Sequence, residues 1–153
     1  MRYVIKRLAL VACFFSGFSQ AAALTIDVYR DANCGCCTDW IKHLESNGIT
    51  VRDHVERDMS AIKRQFGVAP RLASCHTGVL DGKFIEGHVP AEQIHILQER
   101  TDLRGIAVPG MPMGSPGMEY GSNKTHYAVI GLTQDGNDEV VAEYVGTQRT
   151  IKE

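Results

Sequence analysis

Four cysteines are the residues whose type and spacing could do chemistry. Cys34, Cys36 and Cys37 lie within four residues of one another, and Cys75 follows almost forty residues later. An even number of cysteines in an oxidising compartment usually forms structural disulfides. Three cysteines this close together cannot cross-link distant parts of the chain. The spacing therefore indicates a chemical site rather than a stabilising framework.

The cysteine spacing alone leaves three kinds of site open. Several thiolates in a small volume favour a soft ion such as Cu(I), or Zn(II), although the paired C-x2-C spacing of zinc sites is absent. Cys34 and Cys37 form a C-x-x-C pair, which is typical of thiol–disulfide oxidoreductases in which the first cysteine attacks and the second resolves. An inert Cys34–Cys37 or Cys36–Cys75 disulfide is the third. We favour metal binding, because a redox pair needs only two thiols.

A second set of soft side chains lies in a segment rich in glycine and proline. Met111, Met113 and Met118 fall within eight residues, and no helical periodicity places them on a core face. Methionine often fills gaps in cores. Thioethers also bind Cu(I) and have little affinity for hard ions. We predict that these three residues are metal ligands or lie near the metal.

The histidines divide by their place along the chain. His88 ends a predicted hairpin and His126 begins a strand after the methionines, so these two are the better ligand candidates. His76 follows Cys75, and strand alternation is expected to turn its ring away from the cysteines. His43 is expected to face solvent on a helix. Nothing fixes the geometry of a catalytic Cys–His–Asp set, so no catalytic residue is assigned and enzymatic activity stays open.

Periodicity predicts the elements that must position these residues. A strand beginning at Leu24 runs into the cysteines, and the helix that follows places Cys37 and Trp40 on one apolar face. Asp81-Gly82 predicts a hairpin turn, and Pro90 suits the start of a later helix. The predicted order is strand 24–29, helix 38–47, strand 49–55, a short helix from Asp58 or Ser60, hairpin 77–89, helix 91–100, irregular segment 105–123 and hairpin 127–145.

This β-α-β-α-β-β-α order is that of thioredoxin. In that fold, the loop that enters the third strand touches a cysteine pair at the start of the first helix, and here this loop is 70–76. We therefore predict an α/β, thioredoxin-like three-layer fold with a Met/Gly/Pro-rich loop and an extra C-terminal β-hairpin. Cys75 should lie beside Cys34, Cys36 and Cys37. A helix N-terminus favours thiolates, because its unpaired N–H groups stabilise negative charge.

The first 23 residues and the overall charge bear on location and partners. A basic start, an apolar run of about eleven residues and three final alanines are typical of a secretory signal. A membrane-spanning helix needs ~20 apolar residues, although a retained anchor or a buried helix is the alternative. We expect a signal peptide over 1–23, cleaved near Ala22 or Ala23, and one domain over 24–153. With 16 basic and 18 acidic residues, the chain lacks the basic excess of nucleic-acid binders. We expect no nucleic-acid partner, and no membrane span once the signal is removed.

Four motifs occur in order along the chain: Tyr29…Cys34-Gly35-Cys36-Cys37…Trp40, and the segments 72–77, 86–91 and 108–119. Together they resemble the CopG family of periplasmic copper-resistance proteins over about residues 25–145. The resemblance implies a thioredoxin-like fold, a periplasmic location and a role in copper tolerance beside efflux systems. It also implies several copper ions in a cluster bridged by Cys34, Cys36, Cys37 and Cys75, and an interconversion of Cu(I) and Cu(II).

The leading hypothesis is an exported protein that sequesters, delivers or oxidises Cu(I). Copper is then its cofactor, with more than one ion per chain, and copper efflux or periplasmic copper proteins are its expected partners. The second hypothesis is a thiol–disulfide oxidoreductase that uses Cys34 and Cys37. The third is a metal-dependent module that docks on an efflux or sensor partner.

Overall fold

A computed structural model describes residues 24–150 as a mixed α/β fold, in which one eight-stranded sheet is accompanied by three helices. The predicted signal segment lies outside the described residues. Within 24–150, no helix is long and apolar enough to cross a membrane. The strands are β1 (Thr25–Arg30), β2 (Thr50–Val55), β3 (Thr77–Leu80), β4 (Lys83–Glu86), β5 (Leu103–Ala107), β6 (His126–Thr133), β7 (Asp138–Val145) and β8 (Gln148–Thr150), and the helices are α1 (Gly35–Ser46), α2 (Met59–Gln65) and α3 (Ala91–Glu99).

The sheet order brings three distant segments together at one end of the neighbouring strands β1, β3 and β4. The strands lie in the order β2-β1-β3-β4-β5-β6-β7-β8, with β1 parallel to β2 and antiparallel to β3. Tyr29 near the end of β1 faces Thr77 at the start of β3, which in turn faces Glu86 at the end of β4. The segments that follow β1, precede β3 and follow β4 therefore meet. These segments carry the cysteines and His88.

Helix α1 is fixed by the apolar face that its sequence predicts. Cys37, Trp40, Ile41 and Leu44 are all buried, at the spacing of one helical face. The Trp40 ring is fully buried, and its Nε1–H donates to the carbonyl of Val89, 2.8 Å away. This bond anchors the cysteine helix to the segment that follows β4.

The first hairpin and α3 confirm two local predictions. Asp81 and Gly82 both have positive φ, 49° and 80°, as a two-residue type I′ turn requires. Helix α3 begins directly after Pro90. The expectation that His43 faces solvent is wrong, because its Nε2 accepts the backbone N–H of Ala91 at 3.1 Å and its ring is partly buried. Burial lowers the pKa of His43.

Two strands were not predicted, β5 and the short β8. The prediction of irregular structure from Gly105 is wrong for the last three residues of β5. This strand lies between β4 and β6 and is almost entirely buried, so it shows no polar alternation. Gly105 lies directly against Phe84, where an added Cβ would be 2.5 Å from the ring. The following segment, residues 108–125, contains no helix or strand and is called the methionine loop below.

Candidate metal centre

The four cysteines meet at the end of the sheet where β1 and β4 end and β3 begins. Their Sγ atoms all lie within 4.8 Å of one another. Cys34, Cys36 and Cys37 come from the first turn of α1 and the residue before it, and are called the helix wall. Cys75 comes from the loop before β3. The prediction that Cys75 lies beside the other three cysteines is therefore confirmed.

The helix wall contains one disulfide and one free thiol. Cys34 and Cys37 are bonded to each other, whereas Cys36 and Cys75 are free. The Cys36 Sγ lies 3.6 Å from the Cys34 Sγ. Cys37 is fully buried, while Cys34 and Cys36 are partly exposed. The helix wall therefore offers an ion one thiol in this state and three once the disulfide is reduced.

Cys75 also belongs to a second group of ligand atoms, formed with His76 and His88 and called the loop wall below. The Cys75 Sγ lies 3.2 Å from both His76 Nδ1 and His88 Nε2. Both rings are fully buried. The expectation that His76 turns away is wrong, because β3 begins only at Thr77 and strand alternation does not yet apply. Its position next to Cys75 was the available sequence signal.

The His88 ring is oriented by a backbone carbonyl. Its Nδ1 lies 2.8 Å from the oxygen of Pro116 in the methionine loop. A carbonyl can only accept, so Nδ1 carries the proton and Nε2 presents its lone pair toward Cys75. Metal-binding histidines are usually held in this way, with the second ring nitrogen donating to a carbonyl or carboxylate.

Burial sets the protonation of the loop wall. It lowers the pKa of His76 well below the ordinary range, helped by the nearby His88 and Lys63, and it lowers the pKa of His88. Both rings are therefore neutral, which is the form that binds metals. The pKa of Cys75 is raised to about 11, mainly by burial and to a smaller extent by the neighbouring Cys36. An ion that binds Cys75 must displace its proton.

The methionine loop packs against both walls. The Ser74 hydroxyl, next to Cys75, donates to the carbonyl of Gly110. On the other side, Gly117 lies so close to α1 that an added Cβ would be 2.6 Å from the backbone nitrogen of Trp40 and 3.0 Å from the backbone oxygen of Cys36. The loop thus covers the junction between the two walls.

The remaining predicted ligands differ in exposure. Met118 is 9% exposed, Met113 is partly buried and Met111 is 53% exposed. Their role as thioether ligands stays a prediction. His126 is exposed at the start of β6 and belongs to neither group of ligand atoms found among residues 24–150. The structure therefore brings His88, but not His126, to the cysteines.

Comparison with known proteins gives one family match and two matching structures. The family described as "Protein of unknown function, DUF411" matches residues 72–118, which contain the loop wall and the three methionines. A solved structure named "Copper resistance protein copG- Form 1" is 65% identical, covers 80% of this chain and 98% of its own, and has a TM-score of 0.77. "Copper resistance protein copG- Form 2" is also 65% identical, with coverages of 79% and 98% and a TM-score of 0.78. No curated protein matches the chain.

Proposed function

The chain belongs to the family of the copper resistance protein CopG, and on that premise we propose that it contributes to copper resistance by holding more than one Cu(I) ion. One observation carries the proposal. Four sulfur atoms lie within 4.8 Å of one another, and one of them also belongs to a group with two buried histidines. Thiolate and imidazole are ligands suited to Cu(I).

Cys75 belongs to both groups of ligand atoms, which supports more than one copper ion per chain. The two groups of ligand atoms overlap only at its sulfur, and a thiolate can bridge two ions. Cys34 and Cys37 can join the site only after their disulfide is reduced, because a bonded sulfur is no thiolate. Full loading with copper therefore requires the reduced chain.

The same disulfide supports one direction of a Cu(I)/Cu(II) interconversion, the reduction of Cu(II) to Cu(I). Two Cu(II) ions would each accept one electron from the thiolates of Cys34 and Cys37. The two sulfurs would then form the bond between them, leaving two Cu(I) ions for the remaining ligands. An external dithiol would reduce the bond, take up its two electrons as its own disulfide, and restore the two thiols.

Location and fold class form part of the proposal. We propose that residues 1–23 are removed on export to the periplasm and that 24–153 is a thioredoxin-like domain acting beside copper efflux or other periplasmic copper proteins. The order β2-β1-β3-β4, with β1 and β2 parallel and cysteines at the start of α1, supports this fold class. N-terminal sequencing of the protein from a periplasmic extract tests the proposed export and cleavage, and an uncleaved chain would contradict them.

A thiol–disulfide oxidoreductase is the second candidate, because the Cys34–Cys37 pair is a disulfide with a free thiol 3.6 Å away. Anaerobic titration of the fully reduced chain with Cu(I) separates the two functions. We expect more than one ion per chain. Cys36→Ser should lower that number while the Cys34–Cys37 redox pair still forms. A chain that binds no Cu(I) but reduces insulin disulfides would establish the second function instead.

A further inference from the structure

Glu86, the last residue of β4, is a buried charge that the proposed function does not use. Its side chain is 0% exposed. It accepts a short bond from the Lys63 ammonium of α2, the backbone N–H of Ser74 at 2.6 Å and the hydroxyl of Thr77 at 2.7 Å. The Lys63 Nζ also donates to the Thr77 hydroxyl at 3.2 Å. The carboxylate is thus surrounded by donors from α2, β3 and the Cys75 loop.

Stability alone is a poor explanation for this pair. Removing two charges from water costs about as much as their attraction returns, and an apolar pair of similar volume is often as stable or more so. What an apolar pair cannot supply is an acceptor for the Ser74 N–H. That N–H belongs to the residue directly before Cys75, and Glu86 lies two residues before His88. The carboxylate therefore links the two segments that form the loop wall.

The Cys75 loop and the segment after β4 also contact each other directly at Gly87, the residue after Glu86. Gly87 has a φ of 73°, and a Cβ there would be 2.6 Å from both the Ser74 side chain and the carbonyl of Val108. The position of the Cys75 loop relative to β4 is therefore fixed by close contact on one side and by the Glu86 acceptor on the other.

We propose that Glu86, held in place by Lys63, is a positioning residue that sets the separation between Cys75 and His88 in the copper site. The choice of copper as the ligand rests on the proposed function. The hydrogen bonds that place Glu86 between the two segments do not depend on that function. Loss of the carboxylate acceptor frees the Ser74 N–H and lets the Cys75 loop move away from His88. Loss of a supporting hydrogen bond around metal ligands typically costs 10- to 100-fold in affinity.

The first test compares Cu(I) affinity with stability in three variants. Glu86→Gln leaves Lys63 without its counter-charge, whereas Lys63→Met/Glu86→Leu replaces the whole pair by apolar side chains. Lys83→Met is the matched control, since Lys83 begins the same strand and donates to the carbonyls of Leu97 and Arg100, both at 2.8 Å. Affinity is measured by competition with a chromophoric Cu(I) chelator, and stability by thermal unfolding.

We expect the double variant to stay folded, with some loss of stability from the Ser74 N–H and Thr77 hydroxyl that lose their acceptor, while its Cu(I) affinity falls about 10- to 100-fold. Glu86→Gln should lose stability but keep most of its Cu(I) affinity, because its amide oxygen can still accept the Ser74 N–H, and Lys83→Met should lose stability only. Wild-type affinity in a folded double variant would overturn the proposal, because it would show that the pair has a structural role alone.

The second test uses no copper, so it remains informative if the proposed function fails. The metal-free protein with the Cys34–Cys37 disulfide intact is treated with iodoacetamide, and alkylation of Cys75 and Cys36 is followed by peptide mass spectrometry. Cys36 is an internal control, because α1 positions it without Glu86. The Cys75 to Cys36 rate ratio should change severalfold in the double variant and stay constant in Lys83→Met. An unchanged ratio would overturn the proposal.

Discussion

The helix wall and the loop wall bring their ligand atoms to one site in different ways. The helix wall comes from Cys34, Cys36 and Cys37, which one turn of α1 and its preceding residue bring together. The loop wall comes from Cys75, His76 and His88, which belong to segments on either side of a hairpin. The first depends on local backbone geometry. The second depends on β3–β4 pairing and on side chains of other elements.

This difference determines how each wall should respond to change. A distant substitution can displace the loop wall, because Glu86 and Pro116 hold it through hydrogen bonds to Ser74 and His88. The helix wall is fixed by the buried face of its own helix. We therefore expect copper binding to be lost through remote changes mainly on the loop side.

Replacing Cys75 should have the largest effect, because its sulfur is shared by both groups of ligand atoms. We expect Cys75→Ser to lower the Cu(I) affinity by more than about 100-fold, since a hydroxyl is a poor ligand for a soft ion and the loss exceeds that of a supporting bond. Competition with a Cu(I) chelator measures it. Cys36→Ser is the comparison, because Cys36 belongs to one group only. An equal or larger loss in Cys36→Ser would remove the distinction between the walls.

The next largest effect is expected at His88. His88→Ala should lower the Cu(I) affinity about 10- to 100-fold, because it removes a neutral nitrogen 3.2 Å from the Cys75 sulfur. His126→Ala is the matched control, since that ring is exposed and lies outside both ligand groups. The same competition assay applies. A loss confined to His126→Ala would show that the loop wall is not the histidine side of the site.

The sequence predicted that the three cysteines lie at the start of a helix, but it began the helix at residue 38, whereas α1 begins at Gly35. The apolar spacing of Cys37, Trp40 and Leu44 predicted the buried face of α1, and the predicted order of elements placed Cys75 beside it, where the structure has it. The Asp81-Gly82 turn and the start of α3 were also predictable, because each depends on the backbone preferences of one or two residues.

The loop wall was only partly predictable, for physical reasons. The side-chain direction of His76 depends on where β3 begins, and strand ends are set by pairing rather than by local sequence. The Glu86–Lys63 pair joins residues 23 positions apart on different elements. Strand β5 is short, buried on both faces and contains Gly105, so its sequence lacks the alternation that identifies a strand.

The methionine loop should respond differently where it touches α1. Gly117 and Gly110 both have positive φ, 82° and 70°, but only at Gly117 would a Cβ meet the helix backbone. Gly110→Ala should therefore cost about 1 kcal/mol for its backbone conformation alone, and Gly117→Ala about 2 kcal/mol or more. Denaturant unfolding of the two metal-free variants measures the difference. Equal losses would mean that the loop does not depend on its close approach to the helix wall.

The smallest effect concerns the link between α1 and α3, where the His43 ring accepts the Ala91 N–H. Burial lowers the pKa of His43 in the folded chain, while in the unfolded chain it stays near 6.5. Below about pH 6.5 the unfolded state therefore binds more protons, so this contribution to stability is present above that pH and is lost as the pH falls. The slope cannot exceed about 1.4 kcal/mol per pH unit, the value for one proton.

His43→Gln isolates this contribution, because glutamine can still accept the Ala91 N–H but does not titrate. His76 and His88 change stability in the same direction, since burial lowers their pKa values too. The measurement is therefore the difference between wild type and variant, taken from urea unfolding at about pH 7.5 and about pH 5.5. We expect the variant to lose less stability on acidification, and His95→Gln, on the exposed face of α3, to behave like the wild type. If His43→Gln instead leaves the pH dependence unchanged, the pKa of His43 does not differ between the folded and the unfolded chain, and its link to Ala91 contributes nothing to acid sensitivity.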